Sequence, residues 1–413
     1  MTKDEYRHSV MRVLYSKKII ALVPTALALL LWVFASVESA KEQQAESAFQ
    51  FFSAHLAQKQ YSTAQSDIEQ AVARAPGNAY YLAGQGLLFA RLSRQKFNSA
   101  AFLGNKLTHG EEELKEIAAA AHLYQQALAL NPLDDGHYHN LGWLYAIQQQ
   151  REQALRSFQQ AISIDGSIAV YHVSLGLLRE QGGEQVETCD EYARAIRLSP
   201  DIVDSQFFRD FIARSPEAAG RVISQSISDL EEQLRQSPSP ILKGKLGKLY
   251  LHANLLEKAS ALLKEAVTEL PSLPRPWANL GIIYERQGNE AAMWECYRRA
   301  ALLSPSDAQS WSKLGYLHDR SNNKQDAINS YTQAVNAWMN MMSEHAGRTS
   351  RIYQARFIVS DDVVPNGFLA YCNPVLNVSE ICRRLAQLYK EMGDSRRSTH
   401  YEELSAALNS EEL

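Results

Sequence analysis

Three histidines, His137, His139 and His172, stand where adjacent helices could bring their imidazoles together. Imidazole is a common metal ligand, but a metal centre also needs a further ligand and outer partners that orient the rings. The sequence offers no candidate for either. Asp361 and Asp362 are adjacent carboxylates in a turn-forming stretch, a placement more typical of turns than of an acid–base pair. The four cysteines, Cys189, Cys296, Cys372 and Cys382, contain no CxxC pair. A glycine-rich phosphate loop, HExxH and GxSxG are all missing from the sequence. These residues therefore predict no enzyme, no metal and no cofactor.

Charge narrows the partners. The chain has 413 residues, 46% hydrophobic and 21% charged, with a net charge of -4. A nucleic-acid binder shows a basic excess or a basic run, and neither is present. Residues Ile19 to Val37 read IIALVPTALALLLWVFASV, without a charge. A run of about 20 apolar residues crosses the hydrocarbon core as a helix. Arg7, Arg12, Lys17 and Lys18 precede it, while Glu38, Glu42 and Glu46 follow it. The positive-inside rule then places residues 1–18 in the cytoplasm and the bulk of the chain across the membrane. A cleaved signal peptide is the competing reading, but its apolar region is normally shorter, and Val37-Glu38-Ser39 is a mediocre cleavage site. A retained anchor over 19–37 is expected.

The rest of the chain must then position any site, and internal repetition organises it. One unit begins at Asp135, with Tyr138, Leu141, Gly142 and Tyr145, then Ala154, Phe158 and Ala161. Another begins at Ala169, with Leu175, Gly176, Tyr192, Ala195 and Pro200. Three more begin at Pro240, Pro274 and Ala308, each with a Leu-Gly pair: Leu246-Gly247, Leu280-Gly281 and Leu314-Gly315. The glycines let two helices approach closely, alanines do the same from the second helix, and aromatics fill the gaps. Weaker units flank these. Residues 45–134 fit two divergent units with an insertion at about 93–114, and 203–239 fit a degenerate helical unit. Residues 342–378 match no unit and mix β-branched and aromatic residues around Pro365-Asn366-Gly367, which predicts an ordered insertion with short strands that caps the array. Residues 379–413 read as capping helices.

The pattern resembles the tetratricopeptide-repeat family. The resemblance implies an all-α fold: a TPR superhelix, or solenoid, of antiparallel helix pairs, here preceded by one transmembrane helix. It also implies that the first helix of each pair lines a concave groove. Carried over by position, the N-terminal groove would present His139, Trp143, Val173 and Leu177, an apolar lining suited to a partner helix or extended segment. The insertion at 93–114 folding over it is the alternative. The C-terminal groove would present Lys248, His252, Arg275, Ile282, Arg286, Tyr316 and Arg320, with Asn279 and Lys313 beside them. That basic, partly aromatic lining would suit an acidic segment or a terminal carboxylate, unless it is an ordinary solvated surface. Asn279 and Lys313 match two positions of the family's carboxylate clamp, but Gly244, Lys248 and Gln309 depart from it, which argues against a chaperone clamp. Cys189 and Cys296 fall on second helices as packed small residues, whereas Cys372 and Cys382 could form a disulfide in an oxidising compartment.

Together these readings predict a scaffold that holds other proteins through its groove. The expected setting is a bacterial inner membrane with the repeats in the periplasm, in an envelope assembly such as polysaccharide, secretion or pilus machinery. The other class of reading is an organelle-membrane receptor for chaperones or targeting signals, with cytosolic repeats.

Overall fold

The computed structural model describes residues 36–56, 60–92, 99–104, 110–347 and 376–409. The apolar segment 19–37 lies outside these residues except for Ser36 and Val37, which are helical. Among the described residues, no helix is long and apolar enough to cross a membrane.

Every regular element described is helical. Helix α1 is described over 36–56, followed by α2 (Tyr61–Arg74), α3 (Ala79–Leu92), a short α4 (Ser99–Leu103) and α5 (Glu111–Leu130). Next come α6 (Asp135–Ile147), α7 (Arg151–Ile164), α8 (Ala169–Gln181) and α9 (Gln185–Leu198). A 3-10 turn (Pro200–Asp204) leads to α10 (Gln206–Arg214) and α11 (Pro216–Gln236). The array continues with α12 (Pro240–His252), α13 (Leu256–Glu269), α14 (Pro274–Arg286), α15 (Glu290–Leu303), α16 (Ala308–Arg320) and α17 (Lys324–Gly347). Helices α18 (Val378–Glu391) and α19 (Ser395–Asn409) follow. Most helices pack mainly on a hairpin partner and on the adjoining pair, as a solenoid requires, although α11 packs more on α9 than on α10, and α4 packs on α8.

The close approach inside the regular pairs is set by glycine. A Cβ on Gly142 would lie 2.6 Å from the Phe158 ring, and one on Gly281 would lie 2.7 Å from Tyr297. Gly176 faces Tyr192 and Gly315 faces Tyr331 in the same way, each at 2.4 Å. The turn between paired helices is equally regular. Gln149, Gly183, Asn254, Gly288, Asn322 and Gly393 all adopt positive φ at the same place in their pairs. Gly393 belongs to the α18–α19 hairpin, so this last pair turns like a regular repeat. It packs on α17, and Arg384 of α18 forms a two-pronged ion pair with Asp319 of α16, at 2.6 and 2.7 Å.

Several sequence boundaries shift. The insertion in the second unit ends earlier than 114, because Glu111, Glu112 and Glu113 open the N-terminal turn of α5. Residues 342–347 continue α17 rather than starting an insertion. Residues 348–375, with Asp361, Asp362 and Cys372, lie outside the described residues, and so do the strands expected there. The degenerate unit 203–239 is a helix pair with a first helix of nine residues, shortened by the preceding 3-10 turn.

Candidate protein-binding grooves

The first helices create two different surfaces. In the N-terminal block, the positions expected to line a groove are buried: His139 at 1%, and Trp143, Val173 and Leu177 at 0% exposure. The accessible apolar groove expected there is therefore corrected. Trp143 is covered by α4, whose Phe102 sets its ring edge-on against the indole with centroids 5.4 Å apart, while His139 packs between the Phe158 and Tyr171 rings. Gln181 Nε2 at the end of α8 donates to the Phe102 carbonyl at 2.6 Å. The Phe158 ring closes the other side of Trp143 at 5.5 Å.

Beneath the indole, Ser174 organises the polar atoms. Trp143 Nε1 donates to Ser174 Oγ at 3.1 Å, and His139 Nε2 lies 2.8 Å from the same oxygen. The Ser174 hydroxyl donates its own proton to the Val170 carbonyl at 3.0 Å. His139 must then be the donor through Nε2, which leaves Nδ1 a buried acceptor without a partner. Burial holds the His139 imidazole neutral, its pKa lowered to about 3. His137, on the same helix, is equally buried and also lowered to about 3. His172 instead pairs with Glu191 at 2.7 Å. The three histidines thus serve separate neighbourhoods, and no group of three potential ligands stands close enough to hold a metal among the described residues.

The C-terminal block is open. A cavity of about 440 Å³ is lined by the 3-10 turn, α10, α12, α14 and α16, with Tyr297 the one wall residue from a second helix. Lys248, Asn279 and Lys313 line it, with His252, Arg275 and Ile282. Lys248 and Asn279 are nearly buried, at 6% and 5% exposure.

The charge of this wall differs from the expectation. Lys248 Nζ pairs with Asp204 at 2.5 Å, Arg275 with Asp201 at 3.2 Å, and Lys313 with Glu285 at 2.9 Å. Arg286, Tyr316 and Arg320 do not line the cavity: Arg286 donates to Asn254 Oδ1 at 3.2 Å, and Arg320 pairs with Glu290 at 3.0 Å and lies 5.9 Å from the ring centre of the half-exposed Tyr316. The expected basic lining is therefore corrected: three of its cations are held in ion pairs that link different units, while Arg209 of α10 donates to the Asp204 backbone carbonyl at 3.3 Å. Asp201 and Asp204 arrive from the 3-10 turn, which the degenerate unit hid from the repeat pattern. Glu285 also accepts the Tyr297 hydroxyl at 3.0 Å, and burial together with that carboxylate pushes the Tyr297 pKa up. Burial pulls the His252 pKa down despite nearby Asp204. His252 is therefore a neutral member of the wall near pH 7.

Cys382 is buried at 0% exposure within the α17–α18–α19 core, and burial pushes its thiol up to about 11. Its suggested disulfide partner, Cys372, lies outside the described residues. Cys296 is buried and Cys189 half-buried.

The helix pairs, their glycine contacts and the open wall of first helices agree with the family comparisons. Family models described as tetratricopeptide repeat match residues 49–96, 123–156, 274–307 and 308–337. The chain carries tetratricopeptide repeats. Three solved structures similar to this chain illustrate the range of likeness. One is the crystal structure of YrrB, described as a TPR protein with an unusual peptide-binding site. It is 16% identical and covers 55% of this chain and 98% of its own, with a TM-score of 0.23. Another is PilF of Pseudomonas aeruginosa, 15% identical, covering 66% of this chain and 90% of its own, with a TM-score of 0.29. MamA is 11% identical and covers 53% of this chain and 100% of its own, with a TM-score of 0.24. At these scores none of them carries a partner or an activity over to this chain. No curated protein matches it.

Proposed function

We propose that this chain is a membrane-anchored adaptor that holds a segment of a partner protein in the groove formed by α10, α12, α14 and α16. The observation that carries this reading is the open cavity of about 440 Å³ on the first helices, where the ion pairs between units fix the wall in advance. A preformed wall lowers the ordering cost of binding. The paired charges favour a segment of mixed polarity, which can accept from Asn279 and Lys313 and donate to Glu285, over a purely acidic one.

The membrane anchor rests on the uncharged run Ile19–Val37 and the basic-to-acidic change of its flanks. With that orientation the repeats lie in the periplasm of a bacterial cell, within an envelope assembly. A reporter enzyme fused after Leu413 tests the topology. Activity only in the exported compartment supports it, and activity only in the cytosol contradicts it.

In-cell photocrosslinking tests the adaptor role, with the probe placed in turn at Ala278 and Gln309, which line the cavity, and at Val186, which is 72% exposed elsewhere. The expected result is one identified protein captured at the first two positions and not at Val186. Capture at Val186 alone, or at none of the three, would count against the groove.

A further inference from the structure

The N-terminal groove is filled from within the chain. Helix α4 has five residues, too few to hold a helix by its own hydrogen bonds, so its place depends on what it touches. It packs on α8. Phe102 is its buried anchor at 1% exposure, while Ala101 and Leu103 on either side are only half-buried. Gln181 grips the backbone carbonyl of Phe102 rather than a side chain. One aromatic anchor in a pocket, with a carboxamide reading the backbone, is how a groove holds a short segment of another chain. The pocket has walls of its own, because Phe158 and Ser174 fix the Trp143 indole independently of α4.

We propose that residues 99–104 are a built-in pseudo-ligand, and that the groove over Trp143 is a second protein-binding site. Its partner would be a segment with a phenyl side chain flanked by small apolar residues, which takes the place of α4. In the resting protein the site is self-occupied, so binding there requires displacement of Phe102. This site does not depend on the open C-terminal groove.

The test uses the full-length protein, its Phe102→Ala and Gln181→Ala variants, and a fluorescent peptide of residues 97–106, FNSAAFLGNK. A peptide carrying Phe102→Asp is the control. Phe102→Ala should raise hydrogen exchange in 99–104 more than tenfold while α6 and α8 keep their protection. It should also bind the peptide at least tenfold more tightly than wild type, and should not bind the control. Gln181→Ala should raise hydrogen exchange in 99–104 by less and should leave peptide affinity close to that of wild type, because the same carboxamide grips the Phe102 carbonyl of α4 and of the peptide. If α6 and α8 lose protection together with α4 in both variants, Phe102 is ordinary core and the proposal fails. It fails equally if the peptide binds no variant, or binds all proteins and both peptides alike.

Discussion

Lys313 Nζ lies 2.9 Å from each carboxylate oxygen of Glu285, and this contact joins α16 to the preceding unit. Lys313 therefore holds the groove wall together rather than standing as a free cation. Both side chains are 36% exposed, so the ion pair alone is worth about 0.2–1 kcal/mol. Glu285 does more, because it also receives the Tyr297 hydroxyl. Urea denaturation should show Lys313→Ala losing less than about 1 kcal/mol. Glu285→Ala should lose about 1–3 kcal/mol, since it strands a buried phenol.

Glycine substitutions should separate by sign. Gly281→Ala and Gly315→Ala drive a methyl against Tyr297 and Tyr331, at 2.7 and 2.4 Å. Each should lose about 1–3 kcal/mol through overpacking. Gly220 lies inside α11 with nothing within 4 Å of an added Cβ. Gly220→Ala should gain about 0.5–1 kcal/mol from helix propensity. A thermal shift series on the three variants checks this, and a uniform direction of change would contradict it.

The repeat core was legible in the sequence because its causes are local. Gly142, Gly176, Gly247, Gly281 and Gly315 announce a close helix approach, and the large residue they meet sits 16 positions later each time, from Phe158 to Tyr331. The sites were less legible because their causes are long-range. The insertion at 93–114 was a readable alternative cover for Trp143, but nothing local marks Phe102 within it as the residue that makes the contact. Asp201 and Asp204 neutralise Arg275 and Lys248 from a segment without a repeat signature. The acidic i, i+3 pair after Pro200 was the one available signal.

The turn at Gln149 carries backbone strain that its equivalents avoid. Gln149 has φ 59°, where Gly183 and Gly288 stand in other pairs. A side chain other than Asn or Asp in the left-handed region costs about 1 kcal/mol. Gln149→Gly should raise the unfolding free energy by up to about that amount, and Gly288→Ala should lower it similarly, both read from urea midpoints.

Acid should loosen the N-terminal block. His137 and His139 have folded pKa values lowered to about 3, below the unfolded value of 6.5. Groups lowered in this way are neutral in the fold and protonated in the unfolded chain once pH drops below about 6.5. Stability from them is intact above that pH and declines as pH falls toward 3, by at most about 1.4 kcal/mol per pH unit for each residue. His137 packs near the Tyr80 and Tyr124 rings, with the Asp134 carboxylate 3.5 Å from Nδ1. Neither of its ring nitrogens makes a hydrogen bond. His137→Leu should therefore be neutral or stabilising at pH 7.5 and should flatten the fall in urea midpoint between pH 6.5 and 4.5. An unchanged pH profile would place the acid sensitivity elsewhere.

If the cavity over α10–α16 holds a partner segment, filling that cavity must expel it. Ala278 lines the cavity from α14, so Ala278→Arg places a long side chain within it. The partner captured by crosslinking would be titrated against the full-length protein and against this variant in detergent. Binding should weaken at least tenfold while the melting temperature stays unchanged. Undiminished affinity in the folded variant would contradict the cavity as the binding site.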